Sequence, residues 1–295
     1  MSGHVGRSVV HAAALRRDEV TERLLLLALT LPALLLVAAV TLVPVGLLTY
    51  LSFTDEAGGW SFENYLRLVE SPTYLRVFVN TFQVSFLTTA ICLLLGVPLA
   101  YLLTRLRPRL ANILMIAILL PLWTSVLVRT YAWLIILQRN GLINQVGLDS
   151  GLWTEPLALS FNETGTIIGT VHIMLPYMVL PIYAAMKKIE RSLLDAAASM
   201  GAGPTRAFFS VFLPLAAPGI AAGVLIVFVL CLGFYVVPEI LGGGKVVMLA
   251  MQIASDVQLF FNWGAAGALG VVLLVATLLL IAIANRLSPR AGLEN

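Results

Sequence analysis

The amino-acid sequence predicts an all-α integral membrane protein with six transmembrane helices. Hydrophobic residues make up 60% of the 295 positions and charged residues only 11%, far from the average of soluble domains. Long apolar runs recur along the chain, and short polar stretches separate them. Basic residues concentrate in alternate polar stretches, a pattern typical of multi-pass membrane proteins.

The first apolar run, 24–50, follows a polar N-terminal segment, 1–22, which we predict to be a cytoplasmic tail. The apolar part of a cleaved signal peptide is only about 7–15 residues long, so we expect this run to be a retained anchor. Further predicted spans are 78–104, 111–137, 164–186, 215–240 and 264–285. Together they form a predicted transmembrane domain over 23–286, followed by a cytoplasmic tail, 287–295.

Basic residues orient these spans in the membrane. The segments predicted to be cytoplasmic contain thirteen basic residues: Arg7, Arg16, Arg17, Arg23, Arg105, Arg107, Arg109, Lys187, Lys188, Arg191, Arg206, Arg286 and Arg290. The segments predicted to be outside contain four: Arg67, Arg76, Arg139 and Lys245. Because short loops rich in Lys and Arg stay in the cytoplasm, we expect both termini and the polar loop 187–214 to be cytoplasmic.

Several function classes lack support in the sequence. The two cysteines, Cys92 and Cys231, lie inside apolar runs and form neither a disulfide framework nor a metal motif. The glycine-rich segment 242–245 lacks P-loop spacing, and no other segment is predicted to bind ATP or another cofactor. No nucleophile–base pair or carboxylate pair indicates catalysis. The net charge of +3 comes from residues beside the membrane and does not indicate nucleic-acid binding.

The polar loop has the pattern of two short helices. Ser192 and Asp195 have capping-box spacing, which predicts that the first helix begins at Ser192. Three apolar residues then fall at helical spacing and predict one apolar stripe: Leu193, Ala197 and Met200.

A glycine and two prolines delimit these two helices. Gly201 is predicted to take the left-handed position that ends the first helix. Pro204 suits the first turn of the second, and Pro214 is predicted to end it. The small residues 196–199 leave a shallow surface that another protein could approach closely. On this pattern alone, a cytoplasmic loop that is helical without a partner is an equally good interpretation.

The loop also carries a family signature. Asp195-Ala196-Ala197, then Gly201, then Leu213-Pro214 resembles the EAA loop of ABC importer permeases, with Asp in place of Glu. The segments PLWTSVLVRTYAW (121–133), RNGLIN (139–144) and LGFYVVPEILGG (232–243) resemble permeases of the spermidine/putrescine branch. The resemblance implies the type I permease architecture in the inner membrane of a prokaryote. It also implies that the six signature residues couple the permease to an ATPase.

The resemblance further implies partners and a cargo. One partner is a separate ATPase subunit, present in two copies, which holds ATP and Mg. Another is a second homologous permease or a second copy of this chain. The remaining partners are an extracytoplasmic binding protein and membrane lipid. The implied cargo is a small cation, a polyamine. The alternatives are another small solute, such as an amino acid derivative or a metal ion, or an ion-coupled secondary transporter. A secondary transporter would need intramembrane carboxylates and broken helices in matched halves.

Arg129 is the most costly residue within a predicted span. A charge near the bilayer centre costs roughly 2.5–3.5 kcal/mol on insertion scales, so Arg129 is expected to face a protein or water-filled interior. With Tyr131 and Trp133 it is a candidate for a substrate pathway or gate. The alternatives are that Arg129 pairs with a neighbouring helix or reaches outward to lipid headgroups.

Glu239 is the second charged residue at membrane level. It stands with Tyr235 and Pro238, and we expect irregular backbone there, which membranes tolerate where it lines a cavity. A carboxylate beside an aromatic ring suits an ammonium ligand. The alternatives are an interfacial anchor or a partner for Arg129.

The third group of pathway candidates precedes the sixth span and consists of Asp256, Asn262 and Trp263. Trp263 also suits an aromatic-belt anchor at the membrane interface. His172 stands alone in the fourth span, so we expect it to be a satisfied packing residue rather than a ligand.

Overall fold

The computed structural model describes the backbone of residues 3–55 and 58–287. Side chains are described from residue 26 onward within these ranges, except at 285 and 287, so the side chains of Arg7, Arg16, Arg17, Arg23 and Arg290 lie outside the described part. The predicted C-terminal tail lies outside it as well, apart from the backbone of Leu287.

The described residues form thirteen α-helices and no β-strand. In chain order they are α1 (Gly3–Ser52), α2 (Glu63–Glu70), α3 (Pro72–Arg105), α4 (Pro108–Leu119), α5 (Val126–Leu137), α6 (Leu142–Asp149), α7 (Glu163–Lys187), α8 (Arg191–Ser199), α9 (Pro204–Ala207), α10 (Leu213–Leu232), α11 (Val236–Leu241), α12 (Leu249–Gln258) and α13 (Trp263–Leu287). A 3₁₀ turn, Leu120–Trp123, extends α4, and a π turn, Phe208–Phe212, joins α9 to α10.

Five helical segments in the described residues are long and apolar enough to cross a membrane: Leu26–Ser52, Pro72–Arg105, Glu163–Lys187, Pro204–Leu232 and Trp263–Ala284. A sixth span exists only if two segments that meet at an angle of 101°, Pro108–Trp123 and Val126–Asp149, are counted as one. The prediction of a continuous third helix over 111–137 is therefore wrong. Pro121 has no N–H to donate, the chain tightens into the 3₁₀ turn, and Thr124 is extended (φ −96°, ψ 151°).

The predicted fifth span, 215–240, is also interrupted. Its helix ends at Leu232, three residues follow, and α11 begins at Val236. Irregular backbone was expected beside Pro238, but the break precedes it. Pro238 lies in the first turn of α11, where a missing N–H costs little.

Glycines let α3, α7 and α10 pack closely at the centre of the bundle. A Cβ at Gly96 of α3 would stand 2.8 Å from Met178 Cγ of α7. A Cβ at Gly223 of α10 would stand 2.9 Å from Met178 Sδ, and Gly219, one turn earlier, lies against Ala185 and Pro181 of α7. Small residues at such contacts are typical of helix packing in membranes, where van der Waals contact replaces the hydrophobic effect.

Helix α1 lies at the periphery of this bundle. It packs on α13, where Gly267 meets the carbonyl of Leu48. No residue in the central apolar window of Leu26–Ser52 is buried, although that window has a mean hydropathy of 2.6. Such a surface is suited to contact with lipid or with another apolar subunit.

Candidate functional site: a helical loop and a broken-helix cluster

Helix α8 forms the polar loop, but it does not begin as predicted. It starts at Arg191 with Glu190 as N-cap, and no side chain caps its backbone. Ser192 Oγ instead donates to Glu190 Oε2 at 3.0 Å. The predicted capping box of Ser192 and Asp195 is therefore wrong, because Ser192 already lies inside the first turn.

The end of α8 is built as the sequence predicts. Gly201 has φ +85°, a conformation that costs little only for glycine. Its N–H donates to the Ala198 carbonyl at 2.9 Å, and the Ala202 N–H donates to the Ala197 carbonyl at 3.0 Å. These two bonds form a Schellman motif, which satisfies the last carbonyls of the helix and fixes its end.

The three residues of the predicted apolar stripe on α8 do not share one environment. Ala197 is buried, whereas Leu193 is 45% and Met200 83% exposed. Leu194, not predicted to face inward, packs against the core. The outward surface of α8 therefore carries Leu193, Asp195, Ala196 and Met200, which are free to meet a partner.

The second helix of the loop continues into a long apolar helical segment. Pro204 occupies the first turn of α9, as predicted. Pro214 was expected to end this helix, but the chain stays helical from Pro204 to Leu232. The π turn permits this: the Leu213 N–H bonds to the Phe208 carbonyl, and the register shifts before Pro214, which has no N–H to give. Leu213 and Pro214 thus form the start of α10.

Arg129 lies on α5 and is almost fully buried, with 9% of its surface exposed. Its Nε and Nη1 atoms are enclosed and have no hydrogen-bond acceptor among the described residues. His172 and Tyr177 of α7 lie within electrostatic reach of the guanidinium. No acidic residue in the described part of the chain forms an ion pair with Arg129.

The two aromatic candidates beside Arg129 point to different places. Trp133 packs edge-on against His172 of α7, with ring centroids 5.5 Å apart. Tyr131 is 54% exposed on another side of α5. His172 is not the satisfied residue that was expected, because its buried Nδ1 has no partner among the described residues. No group of three or more His, Cys, Asp or Glu residues in the described part could hold a metal ion.

Tyr235 and Glu239 lie at the second break. Tyr235 ends the irregular stretch and is 39% exposed, and Glu239 is exposed on α11. The buried side of α11 meets α7, where Val237 and Leu241 close over Gly169, and the helix also packs on α5. The two broken helices, α4–α5 and α10–α11, therefore meet each other and α7 in one region, which we call the broken-helix cluster.

Asp256, Asn262 and Trp263 form a separate group. Asp256 is buried and accepts hydrogen bonds from Gln252 Nε2 at 2.8 Å and from the Tyr74 hydroxyl at 3.3 Å. Burial raises the pKa of Asp256 above its ordinary value, against the lowering effect of these two bonds and of Arg67.

The other two members of this group begin the last helix. Asn262 Oδ1 accepts the Ala265 N–H at 2.9 Å and so caps α13. Asn262 and Trp263 line a cavity of about 800 Å³ together with residues of α2. The structure thus gives Asp256 and Asn262 packing and capping contacts, and places them apart from the broken-helix cluster.

Sequence reasoning missed a set of buried hydroxyl side chains on α3 and α7: Thr81, Ser85, Thr88, Thr166 and Thr170. The Thr81 hydroxyl accepts the Leu249 N–H at 2.9 Å and so ties α12 to α3. The sequence signal that could have revealed them is the helical spacing, i, i+4 and i+7, of Thr81, Ser85 and Thr88 inside an apolar run. Sequence reasoning also missed Thr124 and Gly233, which mark the two breaks.

A bundle of long apolar helices with two breaks at one place is the architecture of a multi-pass membrane protein. Residues 92–292 match the family model described as "Binding-protein-dependent transport system inner membrane component", and the chain belongs to this family. It is 37% identical over 231 residues to the spermidine/putrescine transport system permease protein PotB of Haemophilus influenzae, covering 77% of this chain and 80% of that protein.

A second relative and a solved structure agree with this assignment. The chain is 32% identical over 224 residues to PotB of Escherichia coli K12, covering 75% of this chain and 81% of that protein. A bacterial ABC transporter that imports the acidic polysaccharide alginate shares the fold, with a TM-score of 0.73 at 18% identity over 92% of this chain and 99% of that one.

These findings settle the class of the protein. The chain is a multi-pass inner-membrane permease of the ABC importer class, as the loop signature indicated, and it resembles the polyamine permeases, as the segments 121–133, 139–144 and 232–243 indicated. It is a transport subunit and not an enzyme. Because a permease for an acidic polysaccharide shares its fold, the fold does not by itself identify a cargo.

Proposed function

We propose that this chain forms half of the translocation pathway of an ATP-driven importer for a small cationic solute, a polyamine. A second homologous permease, or a second copy of this chain, forms the other half. Two copies of a separate ATPase subunit hold ATP and Mg and dock on the loop 187–214 from the cytoplasm, where both termini also lie. An extracytoplasmic binding protein delivers the cargo.

One observation carries the coupling part of this proposal: a single helical segment, Pro204–Leu232, joins the loop to the broken-helix cluster. Helix α8 precedes it across the short turn at Gly201, and the break at Gly233 follows it. A partner that moves α8 would move this segment as a rigid body, since the backbone hydrogen bonds of the segment are formed within it. The displacement would reach α11, which packs on α5 and α7.

The outward surface of α8 suits a partner protein. Leu193 and Met200 offer apolar contact, and the small Ala196 between them lets another backbone approach. Asp195 adds one exposed charge that could pair with a basic side chain at the rim. A helix that places its apolar side chains in a groove is a common mode of recognition.

The cargo part rests on Glu239 and Tyr235 and on the similarity to PotB. Both side chains are exposed at the break in the helix, where a passing solute could contact them. A carboxylate attracts an ammonium group by charge, and the face of an aromatic ring adds cation–π attraction.

A second candidate cargo is an amino acid derivative. Arg129, in the same cluster, holds an enclosed positive charge with no acidic partner among the described residues. A solute that carries a carboxylate as well as an amine would use both Arg129 and Glu239, whereas a polyamine would use only Glu239.

The coupling function is tested by Gly201→Asp with Gly203→Asp as its matched control. Both substitutions add the same charge to the same turn, but only Gly201 has a positive φ, and Gly203 has open space around it and φ −66°. Gly201→Asp should abolish uptake and reduce co-purification of the ATPase, while Gly203→Asp retains both. Normal uptake by Gly201→Asp would contradict the proposed role of the loop.

The cargo is tested by uptake of labelled spermidine, putrescine and amino acid derivatives in cells that express the full transporter. Glu239→Gln removes one charge at the broken-helix cluster, and Glu155→Gln removes one from an exposed position in the outer connection. We expect Glu239→Gln to raise the apparent KM for a cation and Glu155→Gln to leave it unchanged. Equal effects of the two would show that Glu239 does not contact the cargo.

A further inference from the structure

A cavity of about 430 Å³ lies where four helical ends meet at one end of the bundle. Its walls come from the end of α3, the start of α4, the end of α7 and the start of α8. The volume lies within the range of about 300–1,000 Å³ in which proteins bind small ligands.

Three basic side chains line this cavity: Arg105, Lys187 and Arg191. Within the described part of the chain, no acidic residue lines the cavity and none of the three basic side chains forms an ion pair. Arg105 lies over the ring of Tyr101 at 5.1 Å and Lys187 over the ring of Tyr183 at 5.5 Å. These ring contacts hold the side chains in place without neutralising their charges, so the cavity is positively charged.

The acids nearest in sequence, Glu190 and Asp195, form no ion pair with these three side chains. Glu190 accepts the hydroxyl hydrogen bond of Ser192 and does not line the cavity. Asp195 lines a smaller neighbouring cavity of about 250 Å³ and makes no ion pair with Arg105 or Arg191, which line that cavity too.

The surface that lines the cavity is more polar than apolar. Leu103, Met186 and Phe212 are among its lining residues, but each is at most 4% exposed, so they offer little surface to a ligand. The basic side chains therefore determine which ligand fits, and a phosphate group suits them because arginine and lysine form strong charge-assisted hydrogen bonds with phosphate oxygens.

The position of the cavity along the helix axes matches the phosphate group of a membrane lipid. Arg105 ends the span Pro72–Arg105, and Lys187 ends the span Glu163–Lys187. The ends of apolar helices of this length lie at the depth of lipid headgroups, where basic pockets between helices bind anionic lipids.

We propose that this cavity is a binding site for the phosphate of an anionic phospholipid, held by Arg105, Lys187 and Arg191. Arg191 is the first residue of α8, so a bound lipid would hold the start of the loop helix against the membrane surface. Binding itself does not depend on the cargo or on the proposed function, and it can be measured without transport.

The test uses the purified full-length chain in mixed micelles of phosphatidylcholine and phosphatidylglycerol, with retained lipid measured by native mass spectrometry. The triple variant R105Q/K187Q/R191Q removes the three charges. The matched control R76Q/R139Q/K245Q removes two arginines and one lysine at exposed positions elsewhere. The conservative variant R105K/K187R/R191K keeps the charges, and thermal melting of all variants verifies folding.

We expect wild type, the matched control and the conservative variant to retain phosphatidylglycerol. Each basic side chain near a membrane surface changes anionic-lipid binding on the order of fivefold, so R105Q/K187Q/R191Q should lose well over tenfold in apparent affinity. Retention equal to wild type, or an equal loss in the matched control, would overturn the site.

A competition experiment separates the two sources of a phosphate group. Inorganic phosphate and glycerol 3-phosphate are added at increasing concentration to the wild-type complex with phosphatidylglycerol. If the site binds lipid, they should displace it only at concentrations far above that of the lipid. Displacement at equal concentration would identify a site for a soluble phosphate compound and would overturn the lipid assignment.

Discussion

Gly219 of α10 lies against Pro181 of α7 with no room for a side chain, since a Cβ at position 219 would stand 2.7 Å from the Pro181 carbonyl oxygen. The Cβ of Ala185 closes the same space. Neither neighbour can rotate away, because one is backbone and the other has no rotatable side chain. The contact between the loop-bearing helix and the central helix of the bundle therefore depends on glycine.

The first prediction is that Gly219→Ala lowers the thermal midpoint of the purified protein. Overpacking of a close contact lowers the free energy of unfolding by about 1–3 kcal/mol. This loss exceeds the gain of up to about 1 kcal/mol in the same free energy from replacing a helical glycine by alanine. Gly270→Ala in α13 is the control, since a Cβ there meets nothing within 4 Å. It should leave the midpoint unchanged or raise it, and a Gly219→Ala midpoint equal to that of Gly270→Ala would contradict the packing.

Local backbone chemistry was the part of the fold that the sequence predicted best. The left-handed turn at Gly201 and the start of α9 at Pro204 follow from properties of single residues, and both are confirmed. The capping box failed because the preceding Glu190 took the N-cap, a choice that the spacing of Ser192 and Asp195 cannot decide.

Features that depend on distant packing were not predictable from the sequence. Pro121 in an apolar run is compatible with a mild kink, and the angle of 101° depends on what surrounds the turn after it. The burial of Arg129 was expected, but its neighbours His172 and Tyr177 lie over forty residues away in α7. The π turn before Pro214 has no known sequence signal, so an end to the helix was the reasonable expectation.

The second prediction concerns the orientation of the chain in the membrane. Ser150, after α6, and Ser199, at the end of α8, are both exposed and lie in connections that the basic residues assign to opposite sides. In sealed cells, an impermeant thiol reagent should label Ser150→Cys and not Ser199→Cys. The native Cys92 and Cys231 are fully buried and should give no background.

Two results bear on this orientation. Labelling of Ser199→Cys after the cells are opened confirms that the thiol is reactive. Labelling of Ser199→Cys in sealed cells would reverse the proposed topology and remove the loop from the reach of an ATPase.

The third prediction is that Asp256→Asn makes the thermal stability of the protein less sensitive to rising pH. Burial raises the pKa of Asp256 in the folded chain, so folding favours its protonated form. This contribution is fully present below the ordinary Asp pKa of about 3.9 and is lost as the pH rises through the higher pKa of the folded state. The asparagine side chain has the same shape, and its oxygen can still accept from Gln252 or Tyr74.

Thermal melting of the two proteins across pH 4 to 8 measures this effect. The midpoint of Asp256→Asn relative to wild type should rise with pH and then level off. The exposed Asp149→Asn is the control and should follow wild type throughout. A relative midpoint that falls as the pH rises would show that interactions with the ionised carboxylate outweigh its burial.

The fourth prediction separates stability from transport at Arg129. An enclosed guanidinium whose Nε and Nη1 lack an acceptor is costly, because the charge has lost water without gaining hydrogen bonds. Replacing it by the unbranched, apolar methionine removes this cost and keeps most of the side-chain volume. We expect Arg129→Met to leave the thermal midpoint unchanged or to raise it by the equivalent of about 1–3 kcal/mol.

Uptake should respond in the opposite direction if Arg129 serves the pathway. Arg129→Met should then lose most of its transport although it is abundant in the membrane and binds the ATPase. Arg139→Met, at an exposed position beyond the end of the same helix, should change neither quantity. A strongly destabilised Arg129→Met would instead mean that the guanidinium has an acceptor that holds the bundle together, and a stable Arg129→Met with normal uptake would exclude Arg129 from the pathway.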